Sequence, residues 1–223
     1  MRHFDRDIDE IKDLLLRMGA LVEDAIQKSI RALMERDAAL AEEVIANDDR
    51  VDQMEILIDQ RVIELIAKMQ PTAVDLRFVA AVMKTTPELE RIADLAQDVC
   101  ERVLELVSEP PIKRLVQLPR LAEDAQDMVG MALDAFVRGD AALARDIITR
   151  DDEVDQLTVD SFRVLLTYML EDPRNISAAI RLTFIGKYFE RMADGATNIC
   201  EQVVYLVEGK VIKHSPPPGG TSS

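Results

Sequence analysis

Residues 37–53 read DAALAEEVIANDDRVDQ and residues 140–156 read DAALARDIITRDDEVDQ, identical at 11 of 17 positions. Residues 90–101, ERIADLAQDVCE, and 190–201, ERMADGATNICE, match at 7 of 12. The first pair is offset by 103 residues and the second by 100. A period near a hundred is too long for a solenoid repeat and suits a duplicated structural unit. The chain must therefore fold as two copies of one plan, and the plan has to carry acidic clusters at matched places.

Within each copy the apolar positions step by three and four. Ile8, Ile11, Leu15, Met18, Val22, Ile26, Ile30 and Leu33 predict one long amphipathic helix ending near Arg36. Asp37 suits the N-cap of a second helix through Leu40, Val44, Val51, Met54, Ile58, Val62, Leu65 and Met69. Gln70-Pro71 breaks that helix, and Thr72 with Asp75 resembles a capping box for a third. The third helix runs through Val79, Val82, Leu89, Ile92, Ala96, Val99 and Val103, with a kink expected at Pro87. The second copy repeats this with helices over about 119–138, 140–171 and 175–208 and a turn at Asp172-Pro173. Short connections force antiparallel neighbours. The expected fold is all-α: two tandem antiparallel three-helix bundles related by internal duplication, over 1–109 and 119–212, with a linker at 110–118 and a disordered tail at 213–223.

Composition supports this, with 31 % charged residues, 4 % aromatic and no Trp. A net charge of −15 argues against a nucleic-acid partner, because phosphate binding needs a basic surface. No run of eighteen apolar residues is present to span a membrane, and the charged, periodic N-terminus does not read as a signal peptide. Cys100 and Cys200 occupy equivalent places in the two copies and are expected as buried free thiols in a cytoplasmic protein. His3 and His214 stand at the two ends, so inward-pointing Glu-x-x-His ligands of a di-metal oxidase are lacking. With no nucleophile–base pair, phosphate loop or dinucleotide fingerprint either, no catalytic residue is assigned and no enzyme is expected.

The acidic residues are patterned. Glu90, Asp94, Asp98, Glu101 and Glu105 share an arc of roughly 80° on the third helix, and Asp48, Asp52, Glu55 and Asp59 one of roughly 60° on the second. Asp48 and Asp52 precede the turn by about as many residues as Glu90 and Asp94 follow it, so the four come level roughly 30 Å from it. Asp151, Asp155, Glu190 and Asp194 repeat the arrangement. An E-x-x-x-D spacing alone is common on solvated helix faces. Pairing by level in both copies is not, and crowded carboxylates call for a positive partner. Arg91 and Arg191 beside the clusters could supply part of it; hard oxygen ligands on facing helices otherwise suit a divalent or ferric ion held near the surface.

The same residues carry a family resemblance. Gln70-Pro71-Thr72-Ala73, Asp75-Leu76-Arg77 and Leu89-Glu90-Arg91-Ile92-Ala93-Asp94 resemble the signature of the PhoU family of bacterial phosphate-uptake regulators, as do YFERMAD at 188–194 and residues 44–55. The likeness extends over about 8–212 and includes the duplication. Ala93 and Ala193 stand where the family usually has Gly, and Asn198 stands where the first copy has Asp98. The resemblance implies two three-helix bundles, often a homodimer, and multinuclear iron or another metal. Asp48, Asp52, Glu90 and Asp94 would form one metal site, and Asp151, Asp155, Glu190 and Asp194 the other. It further implies a cytoplasmic negative regulator of phosphate uptake and of the starvation response. Its partners would be the ATPase subunit of the phosphate ABC transporter and a sensor histidine kinase. The alternatives are a metal-storage helical protein and an accessory protein of a low-affinity phosphate transporter.

Overall fold

A computed structural model describes residues 3–69, 73–112 and 117–212. The first unit comprises α1 (His3–Glu35), α2 (Ala38–Asn47), α3 (Asp49–Met69) and α4 (Ala73–Leu106). The second comprises α5 (Gln117–Arg138), α6 (Ala141–Glu171), a 3-10 turn at Pro173–Asn175 and α7 (Ile176–Glu208). No strand occurs among the described residues. The architecture is the expected pair of three-helix bundles, with α2 and α3 together taking the place of one helix.

Matched aspartates start the second helix of each unit. Asp37 accepts a hydrogen bond from the Leu40 N–H at 3.1 Å, and Asp140 from the Ala142 and Leu143 N–H groups at 3.1 and 3.0 Å. The residue before each cap is left-handed, with φ 54° at Arg36 and 63° at Gly139. Glycine takes that conformation freely; arginine pays in strain and is held by its side chain. The Arg36 guanidinium donates to the carbonyls of Leu106 and Glu109, the latter at 2.6 Å, and so fastens α1 to the C-terminal end of α4.

The expected single helix over 37–70 is interrupted at Asp48, whereas α6 runs straight through the matching Asp151. Asn47 precedes Asp48 in the first copy, and Arg150 precedes Asp151 in the second. The Asn47 side chain donates to the Glu43 carbonyl at 2.7 Å and competes with the helical backbone there. The following turn tightens, the Val51 N–H reaching the Asp48 carbonyl at 2.8 Å. Helix α4 continues through Pro87 without a break, and the preceding Thr86 hydroxyl bonds back to the Val82 carbonyl at 2.9 Å. Helix α5 opens at Gln117, two residues ahead of the expected start at Pro119. The proposed capping residue Thr72 and the tail 213–223 lie outside the described residues.

The two units share one core. Helix α4 packs along α7 and α1 along α5, and the buried side chains of both units form one continuous cluster. Ile11, Leu15, Met18, Val22 and Ile26 bury the predicted stripe of α1. At the α4–α7 contact, Gly195 admits Ile92: a Cβ on that glycine would stand 3.0 Å from the Ile92 side chain. Farther along, Arg181 of α7 bonds Glu105 at 2.6 Å and Glu109 at 2.9 Å, both belonging to the first unit. Cys100 and Cys200 are buried and free, and burial pushes both thiols up to about 12. None of the described helices is long and apolar enough to cross a membrane.

Candidate functional site

The carboxylates singled out in the sequence lie beside the core seam. Asp48, Asp52, Glu90, Asp151 and Glu190 are half-buried, whereas Asp94, Asp155 and Asp194 are exposed. Their neighbours on the inner side, Val51, Ala93, Val154 and Ala193, belong to the core. Each acidic band is thus carried on helices that cannot rotate without exposing apolar side chains.

The first band is electrostatically one group. Burial, then Asp94, Asp52 and Asp49, raise Asp48 to about 6. Burial, then Asp94, Glu55, Asp52 and Asp48, raise Glu90 to about 7. Asp94 is raised by burial and by Asp52. The four predicted residues therefore face one another across α3 and α4, as the register from the turn requires. Glu55 belongs with them: burial and the charges of Asp59, Asp52 and Asp94 raise it as well. Its place in the same arc as Asp52 was visible in the sequence, but its membership in the site was missed.

The second band assembles likewise but is differently supplied. Burial, then Asp194, Asp155, Asp152 and Glu190, raise Asp151 to about 6. Lys187 forms an ion pair with Glu190. Asp194 is raised by burial and Asp155, while Lys187, Arg91 and Arg191 pull it back down. Both arginines act on Asp194, Arg191 within its own copy and Arg91 from the other. Arg91 and Arg191 line one polar groove of about 210 Å3 between α4 and α7, together with Glu88, Asp194, Gly195, Thr197 and Asn198. Arg91 points its charge at the other unit because α4 and α7 cross there, a relation that no single helix reveals.

These donors suit a hard cation in kind: carboxylate oxygens alone, from two facing helices. Among the described residues, no three carboxylate, histidine or cysteine groups are already gathered into a set that could hold an ion. Crowded carboxylates keep apart, so an ion would have to draw them in. The carboxylates stand at the surface beside the seam, not inside the core.

A model of the PhoU domain matches the chain twice, at residues 15–103 and 118–203. The phosphate-specific transport system accessory protein PhoU homolog of Aquifex aeolicus is 41 % identical over 209 residues, spanning 94 % of this chain and 95 % of that protein. The accessory protein PhoU of Escherichia coli is 38 % identical over 211 residues, spanning 95 % and 88 %. The crystal structure of PhoU from Pseudomonas aeruginosa superposes with a TM-score of 0.90 at 38 % identity, covering 93 % of this chain and all of that one (100 %). The phosphate transport system regulatory protein PhoU from Streptococcus pneumoniae gives 0.86 at 29 % identity, covering 94 % and 99 %. With its duplicated fold, paired acidic bands and likeness over nearly its whole length, the chain belongs to the PhoU family.

Proposed function

We propose that this protein is a cytoplasmic, non-enzymatic regulator of phosphate homeostasis that holds down phosphate uptake and the starvation response when phosphate is plentiful. It would act as an adaptor, as a homodimer, between the ATPase subunit of a high-affinity phosphate ABC transporter and a phosphate-sensing histidine kinase. Relatives over nearly the full chain are named accessory proteins of the phosphate-specific transport system, which supports a role in phosphate transport. The observation that carries the adaptor reading is the pair of acidic bands carried on one shared core. An adaptor biases a partner only through different affinities for its states, and two acidic bands offer two charged surfaces for contact.

Asp48, Asp52, Glu90 and Asp94 in one band, and Asp151, Asp155, Glu190 and Asp194 in the other, are the residues that would hold divalent or ferric ions, iron foremost. When bound, such an ion neutralises the carboxylates and cross-links the two helices that carry them. The test is a deletion strain assayed for alkaline phosphatase at high phosphate. Derepression is expected, together with retention of an ATPase subunit and a kinase in a pull-down with the purified chain. Activity that stays low in the deletion strain sinks the repressor reading. Alanine at Glu90, Asp94, Glu190 and Asp194 separates the roles: loss of metal with repression intact makes the ion incidental to signalling.

A further inference from the structure

The second unit carries an apolar groove whose counterpart in the first is charged. On α6, Asp152, Asp155, Val159, Phe162, Leu166 and Leu170 step by three and four and form one outer line, apart from the buried line of Val154, Ser161 and Leu165. On α7, Ile176, Ile180 and Phe184 form a second line. The two meet in a groove of about 370 Å3 lined by Val159, Phe162, Phe184 and Lys187. The large apolar side chains of both lines are 41–79 % exposed. Together they make a patch on the order of 500 Å2, as large as a monomer's surface ordinarily carries. In the first unit Glu55, Asp59 and Lys84 replace Thr158, Phe162 and Phe184. Ile56 and Ile63 stay exposed there, but with acids among them.

Charge divides this face lengthwise. Toward the turn at Pro173–Asn175 the α6 line is apolar, and toward the start of α6 it ends in the exposed pair Asp152 and Asp155. The nearby cations are engaged elsewhere. Lys187 pairs with Glu190, Arg163 with Asp160, Arg174 with Asp172, and Arg181 with Glu105 and Glu109. Arg150 reaches Met131 on α5, and Arg91 and Arg191 act on Asp194. A second copy fits this face poorly in either sense. Laid antiparallel, Asp152 and Asp155 would be buried on Leu166 and Leu170 of the other copy; laid parallel, they would meet their own equivalents.

We propose that the α6–α7 face docks an amphipathic helix of about 18 residues from a protein partner, apolar over Phe162, Phe184 and Leu166 and basic over Asp152 and Asp155. Two antiparallel helices leave a furrow that a third enters ridge into groove. The apolar patch supplies most of the roughly 800 Å2 that one side of a standard interface buries, and the aspartates set which way round the helix lies. The net charge of −15 draws a basic segment in. This rests on the adaptor reading above, to which it adds a face and the chemistry of the partner.

The experiment follows dye-labelled peptides binding to the full-length protein by fluorescence anisotropy. The probe is a designed helix of about 18 residues with Leu on one stripe of its first half and Lys on the same stripe of its second. A scrambled peptide of the same composition, and one with Glu in place of Lys, are the comparisons. The probe is expected to bind with a Kd of roughly tens of micromolar, at least about tenfold tighter than either comparison. Phe162→Glu with Phe184→Glu should weaken it at least about tenfold, and Ile56→Glu with Ile63→Glu on the first unit less than about twofold. Asp152→Asn with Asp155→Asn should weaken it several-fold, with circular dichroism showing each variant folded. Equal binding of the scrambled peptide, or indifference to the Phe162 and Phe184 substitutions, overturns the proposal. So does a loss of self-association in sedimentation on changing those two residues, which gives the face to a second copy. Loss of binding to phosphatidylglycerol vesicles in the same variant gives it to a lipid surface and overturns the proposal too. In each of these events, an ATPase subunit and kinase still retained in the pull-down leave the adaptor reading standing.

Discussion

Arg91 stands on the first unit, yet the carboxylate it draws down is Asp194, on the second. Its helix neighbour Asp94 is raised by burial and Asp52. Arg91→Gln should therefore shift the Asp194 titration upward and leave Asp94 where it is. Carboxyl NMR titration of the two aspartates decides it; movement at Asp94 alone would mean that the arginine serves its own band after all.

Stability should depend on pH in an uncommon direction for an acidic protein. Asp48 and Asp151 rise from 3.8 to about 6 and Glu90 from 4.5 to about 7. The folded state thus binds more protons than the unfolded chain between roughly pH 4 and 7, and stability falls as pH rises through that window. With metal removed, the thermal midpoint should be higher near pH 5 than at pH 8. Glu90→Gln should flatten the slope and raise the midpoint at pH 8. A midpoint that climbs steadily from pH 5 to 8 contradicts the crowding described for these bands. Saturating metal should reverse the trend, because bound cations favour the ionised carboxylates.

Gly195 is small because Ile92 needs the room. The matching residue of the first copy is Leu95, and placing leucine at 195 should cost about 1–3 kcal/mol through overpacking. Ile92→Ala should recover part of that loss in the double variant while destabilising the wild-type background. Urea denaturation of the four proteins measures the coupling. Simple additivity would show that the two side chains do not compete for one space.

Arg36 offers a different balance. Arg36→Ala keeps a left-handed non-glycine residue and drops the guanidinium contacts to the Leu106 and Glu109 carbonyls, so it should cost about 2 kcal/mol. Arg36→Gly relieves the backbone and should cost about 1 kcal/mol less. Chemical denaturation ranks them, and the reverse order would place the value of this residue outside its contacts with α4.

Much of this architecture was legible in local pattern. The stripe from Ile11 to Ile26 gives α1, Asp37 gives the cap of α2, and spacing from the turn places Asp48 and Asp52 level with Glu90 and Asp94. What was not legible depends on competition or on crossing. Asn47 is an ordinary helix residue until its amide bonds Glu43 and interrupts the helix at Asp48. The target of Arg91 follows from the packing of α4 on α7, a long-range contact that periodicity does not encode.

The shared core has a consequence for how the two halves can be handled. Ile92, Ala93, Ala96 and Val99 of α4, and Phe189, Met192, Ala196 and Ile199 of α7, lie buried within one cluster. A half-protein ending at the linker would turn such side chains outward and should aggregate or pair with another half. Once the repeats were sealed together in this way, they ceased to be interchangeable parts.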